Sequence, residues 1–184
     1  HSVSGIADLT VPGDVGLNGV ITTTGNQLYS GEVGLLGDTT LVAGTGSISL
    51  GTGGEVIGVS HTLTLGDASQ TGAVTLGGSV DIDGLEVGQG AFDLSITTSQ
   101  GDSFNVSKFV DIPSNGTLNI NTDENSPLNF ESGLNATNPS SINLAGAITS
   151  SGGPGLSFGY AKVGYGSQNA TLTVGGNETA TISF

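Results

Sequence analysis

Apolar and polar residues alternate in short runs along the whole chain: Asp8-Leu9-Thr10-Val11, Ser47-Ile48-Ser49-Leu50, Thr62-Leu63-Thr64-Leu65, Ala73-Val74-Thr75-Leu76, Asp93-Leu94-Ser95-Ile96, Thr117-Leu118-Asn119-Ile120 and Thr171-Leu172-Thr173-Val174. A period of two sets two apolar side chains on one face and Thr, Ser, Asn or Asp on the other, the pattern of a half-buried strand. No stretch has the i, i+3, i+4 spacing of an amphipathic helix. Gly-Asp, Gly-Gly, Ser-Gly and Asn-Gly pairs punctuate the runs and supply tight turns. One unit recurs: Leu17-Asn18-Gly19-Val20-Ile21-Thr22-Thr23-Thr24-Gly25 returns as Leu144-Ala145-Gly146-Ala147-Ile148-Thr149-Ser150-Ser151-Gly152, with a looser echo at Leu94-Ser95-Ile96-Thr97-Thr98-Ser99-Gln100-Gly101. Repetition of a strand-turn unit predicts a solenoid whose stacked coils pool a core that none could bury alone. The expectation is an all-β single domain over residues 1–184, a parallel β-helix; the irregular spacing leaves a β-sandwich or jelly roll as the alternative.

Composition supports strands and narrows function. Of 184 residues 33 are Gly, while Lys and Arg total 2 and Cys, Met and Trp are absent. The net charge of −14 comes from 16 scattered acids set against almost no bases. Nucleic acid is excluded as a partner, because phosphate neutralisation needs clustered Lys and Arg and only Lys108 and Lys162 are present. Anionic membrane surfaces are disfavoured likewise. No apolar run approaches the ~20 residues of a membrane helix, and a chain that starts at His1 reads as processed or as a fragment. Five N-x-S/T sequons, at Asn105, Asn115, Asn135, Asn169 and Asn177, are glycosylation candidates for an exported glycoprotein.

Catalytic constellations are hard to assemble. There is no thiol, a serine triad would rest on His61 alone, and neither lysine follows a phosphate-binding loop. Asp81 and Asp83, alternate residues on one strand face, are the carboxylate pair a β-helical polysaccharide-cleaving enzyme would use. The chain has no arginine to neutralise a uronate and no tryptophan to stack on sugar, so the expectation is no enzyme. Calcium is the one cofactor the residues suggest, at Asp81, Asp83 and Glu86 or at Asp123-Glu124-Asn125, which offer clustered oxygens on predicted turns. Neither cluster matches an EF-hand or a G-G-x-G-x-D repeat, and solvated turns account for both. An N-terminal His1 can chelate copper only with a second histidine beside it. Thr22-Thr23-Thr24 and Thr62-x-Thr64 read as exposed strand positions.

The run Thr24-Gly25-Asn26-Gln27-Leu28-Tyr29-Ser30-Gly31-Glu32-Val33-Gly34-Leu35-Leu36-Gly37-Asp38-Thr39-Thr40-Leu41 resembles the repeat of filamentous-haemagglutinin-like and related β-strand-repeat bacterial surface proteins. Segments 63–81 and 128–152 are similar to that group as well. The resemblance implies a right-handed β-helix in an exported adhesin, sheath or filament. At roughly 20 residues per coil the rod would have about nine coils and extend about 40 Å. The expected function is structural, on the cell surface, with self-assembly into filaments. Ile6, Leu9 and Val11 at one end and Leu172, Val174, Ile182 and Phe184 at the other would supply apolar strand edges for head-to-tail contact. The alternative is an adhesin or glycan-binding module, with Phe158, Tyr160, Lys162 and Tyr165 as the contact patch, the first three sharing a face by alternation.

Overall fold

The structure is a computed structural model that describes residues 2–163, 170–174 and 180–183. Every strand pairing is parallel, and no helix occurs among the described residues. Parallel pairing throughout rules out the sandwich and the jelly roll, whose sheets are antiparallel. The chain is a β-solenoid with three faces.

Alternation sends every second side chain inward, and the register lines these into columns. On the first face Val15 is followed by Val33, Val56, Val80, Phe104, Leu128 and Ile148. On the second the column runs Leu9, Gln27, Ile48, Val74, Leu94, Leu118 and Ile142. The third face has Ile21, Leu41, Leu65 and Val87 in the early coils, then Val110, Leu134 and Leu156 in the later ones. From Val15 to Ile148 the first column makes six turns, about 29 Å at the strand spacing of ~4.8 Å. The coils are therefore longer, and fewer, than nine coils of 20 residues. The reason lies in the corners: three residues connect Leu76 to Val80, but seven connect Ile96 to Phe104.

Inside, packing is tight. Val33, Leu41, Ile48, Val56, Leu65, Val74 and Val80 have no exposure at all, and the rings of Phe104 and Phe130 lie 5.7 Å apart, tilted by 60°. Each such side chain contributes about 1.5–3 kcal/mol by leaving water. The first coil differs. Ile6, Leu9, Val11 and Val15 are only half-buried, at the end of the described stack.

The repeated segments 17–25 and 144–152 adopt the same local structure in different places. Gly19 and Gly146 both bend their strands at a φ of 86°. Four residues later Thr23 and Ser150 each donate a side-chain hydrogen bond to the carbonyl two residues on, at 2.7 and 3.0 Å. Gly19 turns the chain from the first face to the third, whereas Gly146 turns it from the second to the first. The similarity marks a type of corner, not a coil.

Candidate functional site

The exposed acids, read singly, have a structural use that the sequence did not reveal. At the corners a carboxylate or amide of one coil accepts a backbone N–H of the next. Asp8 accepts from Asn26 at 2.7 Å, Asp14 from Glu32 at 2.9 Å, Asp38 from Thr62 at 2.9 Å and Asp93 from Thr117 at 2.8 Å. Asn26 passes the pattern on by accepting from Ser47 at 2.9 Å. These N–H groups lie where the chain leaves one face for the next and the ladder lapses, so a side-chain acceptor satisfies them. On the flat faces the same residue types form ladders: Asn135 donates to Asp111 at 2.6 Å, Asn143 to Asn119 at 2.8 Å and Asn129 to Asn105 at 3.2 Å.

Asp81, Asp83 and Glu86 lie within the strand Val80–Val87, not on a turn. The expectation of a turn fails because Gly84 sits in ladder register with Thr62 instead of reversing the chain. The three carboxylates do not converge. Asp83 forms an ion pair with Lys108 at 2.6 Å, which holds the ammonium above its ordinary range, and Glu86 accepts from Thr64 at 3.2 Å. No group of three or more His, Asp or Glu side chains converges among the described residues. Asp123 does lie on a turn, where it accepts from the backbone N–H of Asn125 at 2.9 Å. His61 is half-exposed within Val56–Leu65. His1 lies outside the described residues.

Thr23, expected on the surface, is buried. It belongs to a polar cluster that plugs the corner of the second coil. The Gln27 amide donates to Val42 O at 2.8 Å, Ile21 O at 3.2 Å and Thr23 Oγ1 at 3.3 Å, and Tyr29 donates its hydroxyl to Gln27 Oε1 at 3.0 Å. Gln70 plugs the next corner, accepting from Ala43 N and donating to Gly46 O and Gly72 O, each at 2.8 Å. No buried side-chain nitrogen or oxygen among the described residues lacks a partner. The Thr-Gly-x-Gln-x-Tyr string thus specifies an inward amide and phenol, one above the other in alternation.

Burial pushes the Tyr29 phenol up to about 12 from its ordinary 10.0. The folded state favours the neutral phenol, so its contribution to stability is complete below pH 10 and is lost as pH rises toward 12. Linkage makes that loss on the order of 3 kcal/mol. The urea midpoint of the wild type should therefore fall more steeply between pH 10 and 12 than that of Tyr29→Phe; parallel slopes would show that the buried phenol does not govern the alkaline limb.

The sequons separate by environment. Asn105 and Asn135 have their side-chain nitrogens engaged, with Ser103 at 3.1 Å and Asp111 at 2.6 Å, inside the surface ladders. Asn115 stands exposed on the loop between Val110–Asp111 and Thr117–Asn121. Asn169 and Asn177 lie outside the described residues.

The contact patch needs correction. Phe158 is 1% exposed and part of the core. Strict alternation from Phe158 to Lys162 fails because the strand Leu156–Val163 changes face. Phe158 pairs with Ala136 on the third face, the register shifts before Tyr160, and Lys162 pairs with Asn143 on the second face. Tyr165 lies outside the described residues. Of the residues expected at the far end, Leu172 and Val174 pair with Ile148 and Ser150, and Ile182 pairs with Phe158, so the parallel ladder continues there; Phe184 is outside the described residues.

The surface has shallow hollows. A trough of about 420 Å³ lies where the tight corner of Gly77, Gly78 and Ser79 separates two longer ones, and Thr52, Glu55, Thr97 and Asp102 wall it. A scan against protein-family models, a search of curated proteins and a search of solved structures each found no match for this chain.

Proposed function

We propose that this chain is a structural rod of a cell surface, akin to the filamentous-haemagglutinin-like proteins, extended end to end by strand addition. One observation carries this reading. Among the described residues, the strands Ser2–Ile6 and Leu9–Val11 pair in parallel with Val15–Thr23 and Gln27–Tyr29, and the apolar Leu9, Val11 and Val15 there are half-buried. A further parallel coil laid on that end would continue all three faces and bury Leu9, Val11 and Val15, and a second copy can supply it. A surface of Thr, Ser, Asn and Gly with two lysines also suits exposure to proteases outside the cell.

The edge can be blocked without disturbing the fold. Leu9 N donates to Asn26 O at 2.8 Å and Val11 O accepts from Ser30 N at 2.9 Å, so both face the second coil. Alternation turns the backbone groups of Thr10 to the open side. Thr10→Pro removes an N–H from that side alone. Sedimentation of the wild type should show species that grow with concentration without a limiting size, and Thr10→Pro should abolish the growth. A wild type that never extends beyond a closed small oligomer, or extension unaffected by Thr10→Pro, would overturn the reading.

A further inference from the structure

Six large apolar side chains stand exposed among the described residues: Val3, Val20, Leu28, Leu36, Val59 and Phe109. The first three lie singly on strands. The other three share one corner, between the first face and the third, and they include the two most exposed: Leu36 at 70% and Val59 at 63%, with Phe109 at 43%. Scattered apolar residues need no explanation, but a line of them along one edge of a rod does. The other two corners carry no exposed large apolar residue among the described residues.

The order along this corner is specific. The second coil brings Leu36 and Asp38, the third Val59 and His61, the fourth Asp83, and the fifth Lys108 and Phe109. Shallow hollows flank the line, one mainly apolar and one mixed. One of about 300 Å³ is walled mainly by Leu35, Ile57 and Val59, with Glu32 and His61 at its margin, and the other, of about 330 Å³, by Leu85, Val87 and Phe109 together with the carboxylates Glu86 and Asp111. The corner also carries Lys108, one of the only two lysines in a chain of net charge −14, exposed and ion-paired with Asp83 of its own chain at 2.6 Å.

We propose that two copies pack side by side along this corner, antiparallel, about a two-fold axis between the Val59 and Asp83 rungs. Antiparallel pairing sets the fifth coil of one copy against the second of the other. Phe109 then meets Leu36 and the hollow beside it, and the Lys108 ammonium, already paired with Asp83 of its own chain, also meets Asp38 of the other copy. The third and fourth coils face each other in the same way, His61 against Asp83. Each contact occurs twice, as a two-fold interface requires. A parallel pairing would oppose Asp38 to Asp38 and Lys108 to Lys108. The lateral contact uses none of the residues of the end-to-end reading, and either can hold without the other.

Sedimentation velocity over micromolar to millimolar concentration tests this, with Thr10→Pro as the starting protein so that end contacts are removed. A closed dimer is expected. Leu36→Asn and Phe109→Ser should each raise its Kd at least tenfold while leaving the circular-dichroism melt unchanged. Lys108→Glu should weaken the dimer as well. Absence of a dimer up to about 1 mM, or a Kd unmoved by Leu36→Asn and Phe109→Ser, would overturn the proposal. A dimer present in the wild type but lost with Thr10→Pro alone would also overturn it and leave only the end contacts.

Discussion

Gly51→Ala should lower the stability of the chain by on the order of 4 kcal/mol, the largest effect expected of any single methyl group added to it. Two costs combine. Gly51 holds a φ of +76°, where an alanine loses about 1–2 kcal/mol to the clash of its Cβ with the backbone. The larger cost comes from the coil that follows. A Cβ at Gly51 would overlap the carbonyl oxygen of Gly77 and crowd Val56 Cγ2 at 3.3 Å. Gly77 belongs to the tightest kind of corner in the rod, with three residues between Leu76 and Val80, so its carbonyl cannot retreat without breaking register on two faces. The control is Gly13→Ala, since Gly13 has no atom within 4 Å of the added carbon and no positive φ. Urea midpoints for the two variants should separate widely, with Gly13→Ala within about 0.5 kcal/mol of wild type. Equal midpoints would mean that coil spacing at this corner is not set by the glycines.

The strands were legible because a period of two survives any variation between them. Runs such as Ser47-Ile48-Ser49-Leu50 and Thr117-Leu118-Asn119-Ile120 fall on strands of the second face with their apolar residues inward. That coils stack was legible from the recurring strand-turn unit, but their length and register were not, because these depend on corners of unequal length. Cross-coil hydrogen bonds span 18 residues from Asp8 to Asn26, 21 from Asn26 to Ser47 and 24 from Asp111 to Asn135. No fixed period links those positions, and the one clear internal repeat proved to be a corner shared by two different edges. The surface chemistry was misjudged for a related reason. A solitary Asp in a Gly-rich loop looks solvated, yet Asp14, Asp38 and Asp93 each hold a backbone N–H of the coil below. Alternation also fails wherever a strand crosses an edge. It put Phe158 on the same face as Lys162, and it gave no warning that Leu36, Val59 and Phe109, far apart in sequence, would line one edge.

Gln27→Leu should cost about 2–4 kcal/mol even though leucine matches glutamine closely in size and is the commoner core residue. The second-face column is otherwise Leu9, Ile48, Val74 and Leu94, so hydrophobicity alone would predict a gain at this position. Hydrogen bonding decides against it. The amide is fully buried, and its Nε2 serves Val42 O at 2.8 Å and Ile21 O at 3.2 Å, where the strands Val15–Thr23 and Val33–Val42 end and their ladder no longer supplies partners. A leucine leaves Val42 O without that donor and strands the hydroxyl of Tyr29, which now donates to Oε1 at 3.0 Å. Each buried polar group left unpaired costs about 1–3 kcal/mol, whereas one methylene-scale gain in burial returns about 0.8 kcal/mol. Adding Tyr29→Phe to Gln27→Leu removes the stranded hydroxyl and should recover part of the loss, but not the part owed to Val42 O. The measurement is a double-mutant cycle of urea midpoints for wild type, Gln27→Leu, Tyr29→Phe and the pair. A double variant as stable as wild type would show that the corner carbonyls find other partners and that the buried amide is dispensable; a deficit near 1–2 kcal/mol that persists in the double variant assigns that remainder to the backbone of the corner.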